Sequence, residues 1–133
     1  MKVAEVMRSD LKMVSMDTTL ADAVATLADA HVSGLPVVDG RGRLAGVVST
    51  TDILDAIREA ASPEDRERIF QQTAVNDIMT PRPQTIEPDA DVLDAARRML
   101  YLEIRRLFVE LDGKLVGVIS QTDIVGALAV RRL

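Results

Sequence analysis

One short stretch decides the fold and occurs twice, as Gly46-Val47-Val48-Ser49-Thr50-Thr51-Asp52-Ile53 and as Gly117-Val118-Ile119-Ser120-Gln121-Thr122-Asp123-Ile124. In each copy a glycine and a run of apolar residues predict a buried strand, and the polar residues that follow predict the first turn of a helix. A serine three residues before an aspartate is typical of a capping box, with aspartate in place of the usual glutamate. The stretch therefore predicts a strand that runs directly into a capped helix.

The rest of the chain repeats around this stretch. Met7 and Leu35 recur 72 residues later as Met79 and Leu107, and beyond the hairpin turn the offset falls to 71. Turns tolerate insertions and deletions, so the loss of one residue there supports the alignment. The chain is predicted to be a duplicated unit.

Each repeat begins with a short lead segment, Val3–Met7 or Val75–Met79, and then reads as strand, helix, strand, strand, helix. The first helix is expected to be capped by Asp17 or Thr18 and to end at Gly34. The predicted fold class is α/β (α+β), with two pseudo-symmetric β-α-β-β-α repeats packed sheet to sheet. Pseudo-twofold symmetry would bring the two strand–helix junctions into a common cleft.

A charged segment separates the repeats. Ser62 followed by Pro63 is typical of a helix start, and acidic residues fill the predicted first turn. We therefore predict residues 1–61 as the first repeat, 62–73 as a helical linker and 74–133 as the second repeat.

Composition excludes several kinds of site. The chain of 133 residues has no cysteine and a single histidine, His31, so thiol nucleophiles and His-rich zinc sites are excluded. A formal net charge of −5 disfavours nucleic-acid binding. No apolar run approaches the length that spans a bilayer, and the first residues lack the apolar core of a signal peptide. We predict a cytoplasmic protein that binds neither membrane nor nucleic acid and is not an enzyme.

On these features the chain resembles a tandem pair of CBS domains, the regulatory module named after cystathionine β-synthase. The resemblance rests on the methionine-ended lead segments, on Leu35-Pro36-Val37-Val38-Asp39 and on the two Gly-x-x-Ser-x-x-Asp stretches, over about residues 3–57 and 74–128. It implies adenosyl-ligand binding in the cleft between repeats, and dimerisation into a flat disc through the helices.

The junction residues allow two interpretations. Locally, serine and aspartate form a good helix cap. The resemblance adds that the aspartates bind ribose, that the neighbouring hydroxyls contact ribose or phosphate, and that the backbone of the first strands contacts adenine. The residues so implied are Ser49, Thr51, Asp52, Ser120, Thr122 and Asp123, with Lys12, Val14 and Thr85 on the first strands.

Basic residues distinguish the repeats. Arg105 and Arg106 precede a strand of the second repeat, where the first repeat has Ser33 and Gly34. In one interpretation they complement the dipole of a helix end and stay in water. In the other they hold a phosphate, for which the forked guanidinium is suited. The second interpretation predicts two pockets of similar shape and unequal affinity.

The sequence thus predicts a regulatory, energy-sensing module that signals to an effector protein supplied in trans and forms a homodimer. The expected effector ligand is AMP, ADP, ATP or S-adenosylmethionine, and Mg²⁺ would arrive only with nucleotide phosphates. No catalytic residue, resident metal or required cofactor is predicted. The alternative is a ligand-independent dimerisation or assembly module.

Overall fold

The computed structural model describes residues 1–130, and packing divides the chain into two units. Unit 1 consists of Met1–Leu11 and the described part of Gln84–Leu133, and unit 2 consists of Lys12–Pro83. Each unit has its own sheet, helices and apolar core. The predicted mixed α/β (α+β) fold class is confirmed.

The order of helices and strands follows the duplication. In chain order the elements are α1 (Val3–Val6), β1 (Val14–Ser15), α2 (Leu20–Ala30), β2 (Gly34–Val38), β3 (Leu44–Ser49), α3 (Thr50–Ile57), α4 (Pro63–Gln72), a 3₁₀ turn (Val75–Asp77), β4 (Thr80–Pro81), β5 (Thr85–Ile86), α5 (Val92–Leu102), β6 (Arg106–Leu111), β7 (Lys114–Ser120) and α6 (Gln121–Val130).

Unit 2 contains a four-stranded sheet in the order β1-β2-β3-β4. β1 is parallel to β2, and the other neighbours are antiparallel. The apolar residues of α2 recur at helical spacing and therefore lie on one face of the helix, and this face covers the sheet. The buried core residues are Val14, Leu20, Ala23, Leu27, Leu35, Val37, Val48, Ile53 and Val75.

Unit 1 repeats this plan with a three-stranded sheet in the order β5-β6-β7. β5 is parallel to β6, and β6 is antiparallel to β7. Its buried core residues are Val3, Ile86, Val92, Ala95, Met99, Leu107, Val109, Ile119 and Ile124. The core includes Val3, which belongs to the first repeat by sequence.

Each lead segment therefore packs with the other repeat. In unit 1 the backbone of Arg8 exchanges two hydrogen bonds with Val118, of 2.8 and 2.9 Å. In unit 2, β4 pairs with β3, with Thr80 opposite Val47. The repeats visible in the sequence and the packed units of the structure are thus different divisions of the chain.

Both predicted ends of α2 were wrong. Thr19, and neither Asp17 nor Thr18, caps the helix by accepting the N–H of Asp22 at 3.2 Å. The reason is the second lead segment: Val75 donates to the Thr18 carbonyl at 2.8 Å, which fixes the backbone before the helix. The last residue of the helix is Ala30, His31 follows it in the left-handed conformation, and Gly34 is the first residue of β2.

The linker helix forms as predicted. Ser62 accepts the N–H of Asp65 at 3.1 Å, and Pro63 is the first helical residue. Ile69 and Phe70 pack against the core of unit 2. The remaining surface of α4 is charged and has no buried residue, as expected for a solvated face.

Candidate functional site

In unit 2 the strand–helix junction is a complete capping box. Ser49 accepts the N–H of Asp52 at 3.1 Å, and its own N–H donates to Asp52 Oδ2 at 2.9 Å. Both backbone donors would otherwise be unsatisfied at the start of α3. The predicted local structure is confirmed here.

The junction of unit 1 has the same geometry. Ser120 accepts the N–H of Asp123 at 3.0 Å and donates its N–H to Asp123 Oδ2 at 3.1 Å. The cap uses only one oxygen of each carboxylate. A second oxygen, Oδ1, remains at both junctions to contact another group.

The partner of Oδ1 differs between the units. Asp123 Oδ1 lies 3.2 Å from Nε of Arg8, and Asp52 Oδ1 lies 3.4 Å from the Thr80 hydroxyl. Arg8 and Thr80 occupy equivalent repeat positions, each directly after the repeated methionine. Sequence reasoning missed both residues, although their place beside the matched methionines was a signal that could have been used.

Backbone amides also gather at each junction. The first amide of each helix donates to the carbonyl of the residue just before β2 or β6. The N–H of Thr50 donates to Ser33 at 2.9 Å, and the N–H of Gln121 donates to Arg105 at 3.0 Å. The third donates to the cap serine, and the second belongs to Thr51 or Thr122. Within residues 1–130, the N–H of this second residue donates to neither a backbone carbonyl nor a side chain. Both threonines are exposed. An anionic or hydroxyl ligand could therefore accept its N–H.

Arg105 and Arg106 lie beside the junction of unit 1 through their backbone. The Arg105 carbonyl accepts the first N–H of α6, and Arg106 pairs with Ser120 across β6 and β7. Both residues are exposed, and neither guanidinium has a carboxylate partner in the described part of the chain. The corresponding position in unit 2 places Gly34 opposite Ser49.

Two of the predicted adenine contacts, Val14 and Thr85, lie on β1 and β5, which form one edge of each sheet, whereas Lys12 precedes β1 and is not on the strand as predicted. Val14 has a buried side chain, so only its backbone could meet a ligand, and Lys12 is exposed. The Thr85 carbonyl already accepts Arg98 Nη1 at 2.6 Å. Over residues 1–130, no hydrogen bond or ion pair joins Lys12, Val14 or Thr85 to the junction side chains.

A separate apolar groove of about 500 Å³ lies in unit 2. It is bounded mainly by α2 and α3, with Phe70 from α4. Its lining residues are Val24, Leu27, Ala28, His31, Val32, Thr50, Ile53, Leu54, Ile57 and Phe70. Neither Ser49 nor Asp52 lines it, so the groove and the polar junction are distinct features.

The described residues, 1–130, contain neither a cluster of metal ligands nor a helix suited to a membrane. No group of three or more His, Asp or Glu side chains is arranged to hold a metal ion. No helix in that range combines the length and apolar character needed to cross a bilayer.

Comparison with known proteins places these features in a family. The CBS domain family model matches residues 3–59 and 75–130. CBSX2 of Arabidopsis thaliana, a chloroplastic CBS domain-containing protein, is 32% identical over 147 aligned positions that cover 94% of this chain, which spans only 62% of that relative's length. The inosine-5'-monophosphate dehydrogenase of Methanocaldococcus jannaschii is 28% identical, over 93% of this chain and 23% of the enzyme.

A solved structure agrees with this placement. The crystal structure of CBSX2 in complex with AMP has a TM-score of 0.80 and 33% identity, covering 99% of this chain and 98% of that one. The fold, both repeats and the strand–helix junctions thus have a common explanation. The chain belongs to the CBS domain family and contains a tandem pair of these domains.

Proposed function

We propose that the chain is a regulatory module that binds an adenosyl ligand at its strand–helix junctions. The carrying observation is that each junction aspartate uses Oδ2 in the helix cap, while Oδ1 contacts the residue directly after a lead segment, Arg8 or Thr80. The cap needs only one oxygen of the carboxylate, so the other oxygen can accept from a ligand hydroxyl. The AMP complex of the 33% identical CBSX2 supports the choice of ligand class.

The donor and acceptor groups suit a nucleoside. The two hydroxyls of ribose can donate to Asp52 Oδ1 or Asp123 Oδ1, and both of those contacts lie at the exposed edge of the junction. The amides of Thr51 and Thr122 can donate to a phosphate or a hydroxyl. Adenine would meet the backbone edge of β1 or β5, where backbone contacts allow any side chain. At Thr85 such a contact would share the carbonyl with Arg98 or displace Arg98 from it.

The role we propose is sensing, without catalysis. A ligand signals only when it binds one conformation more tightly than another, and that difference must reach a partner. The match to part of a dehydrogenase is in keeping with a module that accompanies other activities. An effector protein in trans, discrimination of AMP from ATP for energy sensing, Mg²⁺ bound with phosphates and a cytoplasmic location all stay predictions.

The test is a thermal melting panel on the full chain after removal of co-purified nucleotide. AMP, ADP, ATP, S-adenosylmethionine and NAD are added separately, with and without Mg²⁺. A ligand that binds only the folded state and is present at one hundred times its Kd stabilises by about 2.7 kcal/mol. We expect a rise in Tm with at least one adenosyl ligand, and its loss in the variant Asp52→Ala/Asp123→Ala.

Asp65→Ala is the matched control. Asp65 is the third residue of α4, where its carboxylate accepts the N–H of Ala61 at 3.3 Å, but it lies outside both repeated junctions. Asp65→Ala should lower the free energy of unfolding by about 1 kcal/mol or less and leave the rise in Tm with ligand intact. No response of the native chain to any ligand in the panel would reject the proposal for those ligands.

We also propose that the chain forms a homodimer through its helices. Leu54 is 63% exposed beside the groove of unit 2, and Val125 is 66% exposed on α6 of unit 1. Leu54 lines that groove together with the exposed Val24 and Val32, and a contiguous exposed apolar patch is typical of a surface covered by a partner. Sedimentation should show a dimer that Leu54→Glu weakens. A dimer that forms normally but responds to no ligand would favour the alternative, an assembly module.

A further inference from the structure

We infer that Arg8 selects ligands by charge, so that the Asp123 junction takes an adenosyl ligand with a phosphate while the Asp52 junction favours one that is uncharged at the 5′ position. The inference rests on the proposed function and assigns a different ligand class to each junction. It depends on the position directly after each lead segment, which is Arg8 after the first and Thr80 after the second.

The junctions differ in charge although their caps are identical. In unit 1 the Arg8 guanidinium lies 3.2 Å from Asp123 Oδ1 and compensates the negative charge of that carboxylate. In unit 2 the corresponding group is the hydroxyl of Thr80, 3.4 Å from Asp52 Oδ1, which carries no charge. The pair Arg8–Asp123 has a net charge near zero, whereas Asp52–Thr80 keeps a full negative charge.

This difference decides which ligand each junction tolerates. A ribose bound to the carboxylate holds its 5′ substituent within several ångströms of it, where like charges repel appreciably in a partly buried site. At the Asp52 junction a phosphate meets that repulsion. At the Asp123 junction Arg8 removes it and can itself donate to a phosphate oxygen.

Arg8 is placed to exchange partners. Its side chain is 69% exposed while that of Asp123 is only 11% exposed. Water screens such a pair and makes it weak, so little opposes a movement of the guanidinium from Oδ1 to an incoming phosphate. The vacated oxygen could then accept the ribose hydroxyls.

The other basic residues act in the same direction. Arg105 and Arg106 lie in unit 1, and the Arg105 carbonyl is bonded to the first amide of α6. Their equivalents in unit 2 are Ser33 and Gly34. Three cations thus distinguish the junctions, and among residues 1–130 Arg8 is the one whose side chain is bonded to the junction carboxylate.

The test measures AMP and adenosine binding separately at each junction by calorimetry. Asp52→Ala leaves the Asp123 junction intact, and Asp123→Ala leaves the Asp52 junction intact. In the first background, Arg8→Thr should weaken AMP binding about five- to tenfold and leave adenosine within about twofold. In the second, Thr80→Arg should strengthen AMP binding by a similar factor.

Two controls separate a local effect from a general one. Arg97→Thr removes one positive charge from the same unit, where Arg97 pairs with Asp94 on α5, and should leave the AMP-to-adenosine ratio unchanged. Raising the salt concentration from about 0.05 to 0.5 M should reduce the preference for AMP, because salt screens exposed charges.

The outcomes are distinguishable. Binding of AMP by the native chain with a ratio that neither Arg8→Thr nor Thr80→Arg alters would overturn the inference and leave the proposed function standing. An equal change produced by Arg97→Thr would also overturn it, since net charge alone would then explain the effect. Absence of binding of either compound would overturn the inference and count against the proposed function.

Discussion

A Cβ atom on Gly46 would stand 2.6 Å from Sδ of Met79. The Thr80 carbonyl oxygen would be only 2.8 Å away, so backbone as well as side chain blocks this position. Gly117 has the same relationship with Met7 and with the carbonyl of Arg8, at 2.6 and 2.9 Å. The glycine that begins each repeated stretch is therefore required by the lead segment that passes over it.

We predict that Gly46→Ala and Gly117→Ala each lower the free energy of unfolding by about 1–3 kcal/mol, because overpacking forces the neighbouring backbone to move. Chemical denaturation measures the change. Adding Met79→Ala should not restore the stability of Gly46→Ala, because the Thr80 carbonyl would remain in place.

Gly126→Ala is the control with the opposite expected sign. A Cβ there meets nothing within 4 Å, and Gly126 lies inside α6. Alanine should stabilise such a helix position by about 0.5–1 kcal/mol. Destabilisation by all three substitutions would contradict the steric explanation.

A second prediction concerns Glu103, which follows the last residue of α5 in the left-handed conformation with φ of 57°. Glycine adopts this conformation without steric cost, so Glu103→Gly should raise the free energy of unfolding by about 0.5–1 kcal/mol. Glu103→Ala keeps the unfavourable φ and should give no such gain. His31 is the equivalent residue in α2, with φ of 54°, but it also lines the apolar groove, so Glu103 gives the cleaner measurement. Thermal or urea denaturation decides between these outcomes.

Elements with strong local signals could be predicted from the sequence. The pair Ser62 and Pro63 predicted where α4 begins, and the serine–aspartate spacing predicted both capping boxes. In each case the residues that determine the structure are within four positions of one another. The hydrogen bonds they make do not depend on the rest of the fold.

The misplaced features depend on contacts between distant residues. Asp17, Thr18 and Thr19 are all suitable helix caps, and the bond from Val75 to the Thr18 carbonyl is what fixes the helix start. Likewise, Arg8 and Asp123 are 115 residues apart, and nothing in their local sequence relates them. Sequence reasoning therefore attributed the asymmetry of the junctions to Arg105 and Arg106 alone.

A third prediction concerns pH. The carboxylate of Asp39 accepts the amides of Arg41 and Arg43 through Oδ1, at 2.8 and 3.0 Å. Both hydrogen bonds lower the pKa of Asp39 below 3.8, and the bond from Arg43 has the larger effect. The native state thus favours the ionised form, and its contribution to stability is present above pH 3.8 and is lost as the pH falls through the lowered pKa.

The measurement compares the native chain with Asp39→Asn by urea denaturation between pH 2 and pH 7. The substitution should destabilise at neutral pH, and the difference should shrink as the pH falls below 3.8. A difference that stays the same down to pH 2 would show that the charge of Asp39 has no part in stabilising the turn.

The fourth prediction tests the exchange of lead segments. Val3 is completely buried in the core of unit 1, although by sequence it belongs to the first repeat. Val75 is its equivalent and is completely buried in the core of unit 2. Val3→Ala and Val75→Ala should each cost about 1–3 kcal/mol, because each removes two buried methyl groups and leaves a cavity.

The location of the damage distinguishes the packed units from the sequence repeats. Hydrogen exchange under native conditions reports local stability. Val3→Ala should reduce amide protection most in β6 and β7 of unit 1, and Val75→Ala should reduce it most in β2 and β3 of unit 2. If each lead segment instead stabilised its own repeat, Val3→Ala would expose β2 and β3, and this reversal would contradict the observed packing.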